Sequence, residues 1–358
     1  MSSHFSIIGL MSGTSLDGID LSFCTYNFNS NKWDYSIHTT KSYPYSKEWQ
    51  LKLKNAIHLS ALELYQLDIE IAHLFSDCIQ KFIKEYSIEL SSITAISSHG
   101  HTVYHQPEKG FTIQIGNGET MSTLTNLMVI NDFRSKDVAL GGQGAPLVPV
   151  GDHLLFGELA DGFLNIGGIS NISYVNNYSI KAFDICPGNL PLNYLIQKIG
   201  LSYDQNGELA RKGKIHHELL NELNALEYYT RSAAKSLGIE WFETDFFPLL
   251  KKHTISLEDQ LATIVEHIAL MIGTTTNKLT IQQLFITGGG AYNGYLIERI
   301  GFYFDGEIVI PEKELIEFKE AIIFGFLGAC RLTLQSTSLS SVTGAIRNSC
   351  GGVIHIPN

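Results

Sequence analysis

A strand, a glycine-rich turn and a second strand occur together twice in this sequence, and the repeat limits the possible folds more than any other feature. The first copy begins at Phe5 and turns at Gly13–Gly18, and the second spans Gly162–Val175. The copies lie about 150 residues apart, which indicates two duplicated units. A length of 358 residues also fits two lobes better than one core. We therefore predict an α/β fold with duplicated mixed sheets flanked by helices, and a cleft between the lobes.

The order of elements excludes the common phosphate-binding motifs. A P-loop and a dinucleotide fingerprint both need a strand, a turn and then a helix, but the residues after Gly18 alternate as a strand does. Apolar residues at helical spacing from Leu64 to Phe82 predict a long amphipathic helix. Further strands are predicted at Ile93–Ser98, Phe111–Ile115 and Leu127–Ile130.

Composition narrows the classes of function. The formal net charge is −11, so a broad nucleic-acid or acidic-membrane surface is not expected. Five scattered cysteines without a C-x-x-C pair predict neither a disulfide framework nor a zinc knuckle, and favour a reducing cytoplasm. We predict no signal peptide, and the longest apolar run, Ala321–Cys330, is too short to span a bilayer.

Both hairpin turns have the chemistry of phosphate-binding loops. Glycine lets backbone N–H groups approach phosphate oxygens closely, and a carboxylate beside them, as in the first turn, suits Mg²⁺. The alternative is a simple hairpin in which Asp17 forms the turn. The candidates are Gly13, Thr14, Ser15, Leu16, Asp17 and Gly18 in the first turn, and Asn165, Gly167 and Gly168 in the second.

Two later segments carry further candidates. Asp184 follows a strand-like segment and precedes a second glycine turn, DICPGN, so it is a candidate general base; an Asx-type turn is the alternative and the commoner role of such a residue. Gly288, Gly289 and Gly290 end a strand and open a helix, where backbone N–H groups can seat a nucleotide. We group Asn293 with them. A plain strand–helix turn is the alternative.

Charged residues and histidines give weaker signals. Arg134, in NDFRSKDVALGGQGAPLVP, can hold a carboxylate or sugar oxygens with paired donors, and the alternative is a surface charge cluster. His99, His101 and His105 are interpreted as loop histidines, with His99 lining the substrate site. Glu320 opens an apolar helix, where a carboxylate is also favoured by the helix dipole alone.

Taken together, the motifs resemble those of the anhydro-N-acetylmuramic acid kinases. The resemblance spans Ile8 to about Ala345. Any one motif is weak, but eight in the family's order are specific: GLMSGTSLDGID, SSHGHTVYHQP, NDFRSKDVALGGQGAPLVP, LNIGGISNIS, FDICPGN, ITGGGAYN, FKEAIIFGFLGA and SVTGA.

The resemblance implies a two-lobed actin/hexokinase-like (ribonuclease H-like) fold and an ATP-dependent kinase. The enzyme would open a 1,6-anhydro sugar with water and phosphorylate O6, in peptidoglycan and amino-sugar recycling, as a cytoplasmic protein and a possible homodimer. It implies lobe I at residues 1–133 and 336–358, with sugar and phosphate contacts, and a nucleotide-binding lobe II at 134–335. By position, the resemblance implies that Asp184 is the base. It implies a phosphate loop at Gly13 to Asp20, a nucleotide loop at Gly288 to Gly290, and Mg²⁺ contacts at Asp17 and Glu320. The implied sugar site contains Arg134, Gln143 and Pro146, with His99.

Departures from the family pattern leave the substrate open. Ile185 and Cys186 replace Thr and Gly, His101 replaces Gln, and the arginine usual in the segment Lys235–Phe242 is absent, with Ile239 at its place. Two alternatives therefore stand beside the main hypothesis. One is a levoglucosan-type kinase for an uncharged anhydro sugar, and the other is a non-catalytic, actin-like ATP-binding protein.

Overall fold

The computed structural model describes residues 3–230 and 236–357, and these divide into two compact units. The first unit contains the chain up to Phe156 and from Phe318 onward, and the second is Gly157–Glu317. The predicted boundaries at 133/134 and 335/336 differ from these. Residues 134–156 belong with the first unit because Asp137 accepts a hydrogen bond from Thr343 Oγ1 at 2.8 Å. Residues 318–335 belong there because Ser97 Oγ donates to the Phe324 carbonyl at 2.5 Å.

The strands follow the predicted pattern, with longer spans at several ends. In chain order they are β1 Ser3–Ser12, β2 Gly18–Asn29, β3 Lys32–Pro44, β4 Ala95–Gln106, β5 Phe111–Ile115, β6 Val129–Asn131, β7 Gly162–Ile166, β8 Ile169–Asn176, β9 Ser179–Pro187, β10 Gln283–Thr287, β11 Glu307–Val309 and β12 Val353–His355.

The helices fill the intervals between the strands. They are α1 Lys47–Lys54, α2 Ala61–Glu85, α3 Gly118–Thr125, α4 Ser135–Ala139, α5 Val148–Leu155, α6 Asn189–Ile196, α7 Glu208–Lys212, α8 His217–Asn224, α9 Ile239–Trp241, α10 Phe247–Lys252, α11 Leu257–Lys278, α12 Gly294–Tyr303, α13 Lys313–Leu332 and α14 Ser340–Thr343.

The sheets of the two units have the same central order. In the first unit the order is β3-β2-β1-β4-β6, extended by β12, and β5 pairs with β4. In the second unit it is β9-β8-β7-β10-β11. In each, an antiparallel three-strand meander joins parallel strands through its first strand. The predicted duplication is therefore confirmed, and each glycine-rich hairpin turn occupies the same place in its sheet.

Helix α2 shows how the sequence fixes local structure. Ser60 and Glu63 form a capping box, since Ser60 Oγ accepts from Glu63 N at 3.3 Å and Glu63 Oε2 accepts from Ser60 N at 2.8 Å. One face, including Leu67, Ile71 and Phe75, is buried in the core of the first unit. Each such side chain contributes roughly 1.5–3 kcal/mol when fully buried, so tertiary packing and the cap together hold the predicted helix.

Three boundaries differ from the sequence-based expectation. β4 continues to Gln106 through the segment predicted as a histidine loop, because it pairs with both β1 and β5. β9 continues to Pro187, because Cys186 pairs with Ser170 and Pro187 with Ile169. α13 begins at Lys313, so Glu320 lies inside this helix and not at its start.

Candidate active site

In the second unit, the hairpin turn between β7 and β8 packs against the start of α6. Gly188 N donates to the Gly168 carbonyl at 2.9 Å, and Asn189 N donates to the Gly167 carbonyl at 2.8 Å. A Cβ on Gly188 would lie 2.4 Å from the Gly167 oxygen, closer than any side chain tolerates. The predicted turns at Gly167–Gly168 and at Gly188 therefore form one backbone surface.

The triple glycine after β10 joins this surface. Gly288 has φ +82° and ψ 170°, a region open essentially to glycine alone. A Cβ there would lie 2.7 Å from the Ile166 carbonyl oxygen and 2.8 Å from Asn165 Oδ1. A Cβ on Gly290 would lie 2.2 Å from Ile166 Cγ2. The structure thus brings together the predicted residues Asn165, Gly167, Gly168 and Gly288–Gly290. Close packing against Ile166 requires glycine at positions 288 and 290, which a plain strand–helix turn would not require.

A cavity of about 540 Å³ opens beside the triple glycine. Asn293, predicted as a nucleotide contact, lines it and also caps α12, because its Oδ1 accepts from Leu296 N at 3.0 Å. Gly289, also predicted, lines it as well. Four other lining residues were not predicted as contacts. Asn189 and Tyr292 lie in quoted motifs, while Tyr203 and Asn206 come from a polar segment without one.

Asp184 lies within β9, three residues before the strand ends, and is half-buried. Its Oδ2 accepts from Leu237 N at 2.8 Å, and its carbonyl oxygen accepts from Tyr228 Oη at 2.6 Å. Burial raises the pKa of the Asp184 carboxyl, while the Leu237 N–H acts in the opposite direction. The residue is therefore held in the fold by two long-range bonds and is not the turn former of the alternative interpretation.

A bulge in β9 sets the direction of the residues around Asp184. Asn171 pairs with Asp184 and Ser170 with Cys186, so Ile185 is the extra residue of the bulge. Both Ile185 and Cys186 are buried in the core of the second unit. The two side chains that depart from the family pattern are thus accommodated in the hydrophobic core.

A neutral polar network supports the segment that bonds to Asp184. Tyr229 Oη lies 2.8 Å from His267 Nε2, and His267 Nδ1 lies 2.6 Å from Asn224 Oδ1. Because the amide oxygen only accepts, Nδ1 carries the ring proton and Tyr229 donates to Nε2. Burial lowers the pKa of His267 to about 3, so the ring is uncharged. No sequence motif indicates this network.

The turn of the first unit is open where its counterpart is packed. Thr14, Ser15 and Asp17 are exposed, and a Cβ on Gly13 would meet nothing nearer than Ser15 Oγ at 3.5 Å. Only the ends are constrained. A Cβ on Gly18 would lie 2.5 Å from the Tyr43 carbonyl oxygen. The carbonyl oxygen of Leu16, whose φ is +62°, accepts from Gln50 Nε2 at 3.2 Å.

His101 fixes the beginning of this turn from below. Ser12 Oγ lies 2.9 Å from His101 Nδ1 and 2.6 Å from Tyr45 Oη. Burial lowers the pKa of His101 to about 4, so the ring is neutral at physiological pH. His101 therefore has a role in positioning the turn, which the sequence interpretation as a loop histidine did not foresee.

Arg134 and His99 form the polar centre of the predicted sugar site. His99 Nδ1 donates to the Gly100 carbonyl at 3.0 Å, so its Nε2 is the acceptor for Arg134 Nε at 3.1 Å and Nη2 at 2.8 Å. Arg134 Nη1 donates to the Gly144 carbonyl at 2.7 Å. Burial, and then the charge of Arg134, hold the pKa of His99 well below its usual range.

The guanidinium of Arg134 has N–H donors that are not used by these hydrogen bonds. A guanidinium has five N–H groups, and the three bonds above leave two without a partner among the described residues. Burial lowers the pKa of Arg134 to about 10, against the opposing effects of Glu320 and Asp137, so it stays charged. Gln143 and Pro146 are exposed on the same loop as Gly144.

Asp137, buried and not predicted as a site residue, holds this loop in place. Its Oδ2 accepts from Gly144 N at 2.8 Å, and its Oδ1 accepts from Thr343 Oγ1 at 2.8 Å. Gln143 N donates to the Thr343 carbonyl at 2.8 Å. The two sequence motifs that contain Arg134 and Thr343 are thus parts of one structure.

Glu320 belongs to a group of charged residues in the first unit. It is exposed on α13, yet the surrounding protein removes enough water to raise the pKa of its carboxyl. Lys319 and Arg134 act in the opposite direction, while Asp20 and Asp152 raise that pKa further. Lys319 Nζ and Asp152 Oδ1 form a buried ion pair at 3.2 Å. Glu320 is therefore within electrostatic range of other carboxylates, although not at a helix start.

Two sheets of the same order, each with a glycine turn in its first hairpin, define a duplicated fold of the actin/hexokinase-like class, as predicted. Within that class the chain belongs to the anhydro-N-acetylmuramic acid kinase family, whose model matches residues 5–357. The resemblance and the enzyme class stated from the sequence are thereby confirmed. As a member of a kinase family, the chain uses ATP.

The similarity to curated relatives extends over nearly all of both chains. An anhydro-N-acetylmuramic acid kinase of Sulfurimonas denitrificans is 34% identical, with 97% of this chain and 98% of the relative covered. That of Aliivibrio fischeri is 35% identical, with coverage of 98% and 99%. A solved ROK hexokinase from Thermus thermophilus aligns with a TM-score of 0.38 at 12% identity, covering 92% of this chain and 99% of the hexokinase. Among the described residues, every helix is too short or too polar to cross a bilayer.

Proposed function

We propose that this chain opens 1,6-anhydro-N-acetylmuramic acid with water and phosphorylates it, giving N-acetylmuramic acid 6-phosphate and ADP. Water attacks C1, the C1–O6 bond breaks, and O6 takes the γ-phosphoryl group of ATP as the bond to the ADP oxygen breaks. One water and one ATP are consumed for each sugar. The chemistry combines an inverting attack at an anomeric carbon with phosphoryl transfer.

The state of Asp184 is the observation that carries this proposal. Water is a poor nucleophile, so a base must take its proton as the new bond to C1 forms. Asp184 Oδ2 is bonded to Leu237 N, and burial raises the pKa of the carboxyl. A carboxylate with a raised pKa is a stronger base than an exposed one. The remaining oxygen, Oδ1, would accept the proton.

The second unit supplies the nucleotide site in this proposal. The backbone surface of Gly167, Gly168 and Gly288–Gly290 has no Cβ atoms to obstruct a phosphate chain, and the adjoining cavity of about 540 Å³ is large enough for a nucleoside. The amides of Asn189, Asn206 and Asn293 line this cavity and offer both donors and acceptors for a base or ribose.

The first turn and the nearby carboxylates fit Mg²⁺. Asp17 is exposed beside the hydroxyls of Thr14 and Ser15, and Glu320 lies within electrostatic range of Asp20. Oxygen donors of this kind are the ligands that Mg²⁺ prefers. Bound there, the ion would neutralise charge on the phosphates. We propose Asp17 and Glu320 as the residues that hold it.

Arg134 favours an anionic sugar over an uncharged one. Among the described residues, its hydrogen-bond partners are a neutral imidazole and a carbonyl, neither of which neutralises its charge, and two of its N–H donors remain for a ligand. A lactyl carboxylate matches these donors. Gln143 and Pro146 on the same loop complete the proposed contacts. All the residues proposed to bind the sugar therefore belong to the first unit. Levoglucosan has no carboxylate and would leave the donors unused.

The test is an ADP-release assay with both sugars. We expect kcat/KM to be higher for 1,6-anhydro-N-acetylmuramic acid, and Arg134→Gln to lower it by roughly 10- to 100-fold for that sugar only, the size of a charge-assisted hydrogen bond. In ¹⁸O-labelled water, the label should enter at C1. Preference for levoglucosan, or label in phosphate, would contradict the proposed reaction.

Two further expectations come from the resemblance alone. The reaction consumes ATP in bacterial cell-wall recycling, so we propose a cytoplasmic enzyme. We also propose a homodimer, which light scattering on the purified chain at several concentrations would test. A monomer at every concentration would contradict the second expectation and leave the reaction untouched.

A further inference from the structure

Three side chains of the second unit that have no part in the sites proposed above lie close together. His216 precedes α8, Glu218 lies in the first turn of that helix, and His253 follows α10. One ligand atom from each residue lies within 4.8 Å of the others. The rings of His216 and His253 have centroids 5.1 Å apart. Among the described residues, this is the group of three such side chains that meets this geometric condition.

We propose that His216, Glu218 and His253 bind one divalent transition-metal ion, and that this ion is Zn²⁺. Two imidazoles and a carboxylate form a common ligand set for zinc, with a fourth position left for water. Imidazole also discriminates against Mg²⁺ and Ca²⁺, which prefer oxygen ligands. The site is therefore chemically separate from the carboxylates proposed for Mg²⁺ in the first unit.

His253 has the hydrogen bonding of a metal ligand. Its side chain is only 8% exposed, and its Nε2 lies 3.0 Å from Glu222 Oε2. A carboxylate accepts, so Nε2 carries the proton and Nδ1 is left with a lone pair. A histidine that donates its other N–H to a carboxylate is oriented and made more basic toward a metal. Lys252 also pairs with Glu222, which balances the charge of this carboxylate.

His216 is held by the backbone while its ring has a weaker attachment. Its backbone N donates to Thr263 Oγ1 at 2.9 Å, so the residue is anchored to α11. Its Nδ1 accepts from Leu219 N at 3.2 Å, the long limit for such a bond. A metal on Nε2 needs the ring proton on Nδ1, which ends that bond. Metal binding therefore replaces one weak helix-capping bond with a stronger ligand bond.

The ligand atoms lie within 4.8 Å of one another. Zinc–nitrogen bonds of roughly 2.0–2.1 Å in a tetrahedral site set their final separation. Glu218 is exposed and can change rotamer to reach it. Once bound, the ion would join the start of α8 to the end of α10 and stabilise this part of the second unit.

The experiment uses the full chain, without an affinity tag and treated with a chelator, titrated with Co²⁺ and with Zn²⁺ against a chromophoric chelator. We expect one ion per chain, a visible Co²⁺ spectrum of nitrogen ligation, and a higher Tm with Zn²⁺. Glu218→Gln and His253→Asn should each weaken binding at least about 10-fold, whereas the adjacent, exposed His217→Ala is the matched control and should bind as the unsubstituted chain does. Because Glu218 is exposed, its variant should fold even if the His253 variant does not. Absence of stoichiometric binding, or equal losses in His217→Ala and Glu218→Gln, would overturn the proposal.

Discussion

The two glycine turns occupy equivalent positions in equivalent sheets, yet their surroundings differ. In the second unit, the carbonyl oxygens of the turn residues Gly167 and Gly168 accept from Asn189 N and Gly188 N. The glycines packed against this turn, Gly288 and Gly290, leave no room for a Cβ, since the Ile166 carbonyl oxygen and side chain fill the space. In the first unit, Gly13 has room for one, and Thr14, Ser15 and Asp17 reach solvent.

The difference teaches that a duplicated turn can keep its position and change its chemistry. The second turn presents backbone, and the glycines packed against it, Gly188, Gly288 and Gly290, are needed for that packing. The first turn presents hydroxyls and a carboxylate, which are its proposed ligand contacts. Substitutions at the glycines packed against the second turn should therefore lower stability first, and those in the first turn should weaken ligand binding first.

The largest expected effect is at Asp184, next to the second turn. Asp184→Asn keeps the shape and can accept from Leu237 N, but the amide cannot take a proton from water. We expect kcat to fall roughly 10³-fold or more with Tm little changed. Asp245→Asn, an exposed carboxylate of the same unit, is the control and should retain full activity. Full activity in Asp184→Asn would revive the non-catalytic interpretation.

The pH profile gives a second measure of the same residue. The base works ionised, and burial raises the pKa of Asp184. Activity should therefore be lost on acidification at a pH above about 3.9, the ordinary value for aspartate.

The next effect is on stability and compares glycines directly. Gly288→Ala should lower the free energy of unfolding by about 3 kcal/mol, from the backbone strain and the overlap with Ile166. Gly110 also has a positive φ, +80°, but open space around it, so Gly110→Ala should cost only about 1 kcal/mol. Gly13→Ala should change stability by less than about 0.5 kcal/mol. Urea unfolding measures all three, and equal losses would contradict the difference between the glycine packed against the second turn and the glycine of the first turn.

A smaller effect concerns the carboxylate of the first turn. Asp17→Asn should raise the Mg²⁺ concentration for half-maximal activity by about 10-fold, the loss of one charged ligand. Its unfolding curve should match the unsubstituted chain because the side chain is exposed. Ser15→Ala at the same turn is the control without charge loss. An unchanged Mg²⁺ requirement in Asp17→Asn would contradict the proposal that Asp17 binds the ion.

A further effect appears only on acidification, as a pH dependence of stability that comes from two buried histidines, one taken from each unit. His101 and His267 have pKa values lowered to about 4 and about 3, against about 6.5 when unfolded. Below pH 6.5 these histidines bind protons in the unfolded chain but stay neutral in the folded chain. The free energy of unfolding therefore falls as the pH falls. Each contributes up to about 1.4 kcal/mol per pH unit. His267→Gln should flatten the dependence between pH 7 and 5, while exposed His217→Gln should not.

Local patterns predicted the parts of the fold that depend on local physics. The alternation in β1 and β2, the spacing in α2 and the duplicated hairpins are all visible in the sequence because each element buries one face. Strand ends were missed where pairing partners decide them, as when Cys186 pairs with Ser170 and extends β9 past Asp184. The start of α13 was missed because the helix opens with two charged residues, Lys313 and Glu314.

Candidate site residues could be predicted where a reactive side chain or a run of glycines lies within one short motif. Asp184 and Gly288–Gly290 carry their signal in single motifs, and their roles stay predictions that the experiments above test. Asp137, Tyr228 and most of the cavity lining were missed because their meaning depends on contacts between distant residues. The segment Lys235–Phe242 is only partly described, as Lys235 lies outside the described residues.

The bond from Thr343 to Asp137 joins residues 206 positions apart. During synthesis, the loop with Arg134 leaves the ribosome long before its fastening partner has been translated. The loop proposed to bind the sugar therefore lacks this bond on a partly made chain, so we expect a nascent fragment that already has both glycine turns to discriminate poorly among sugars.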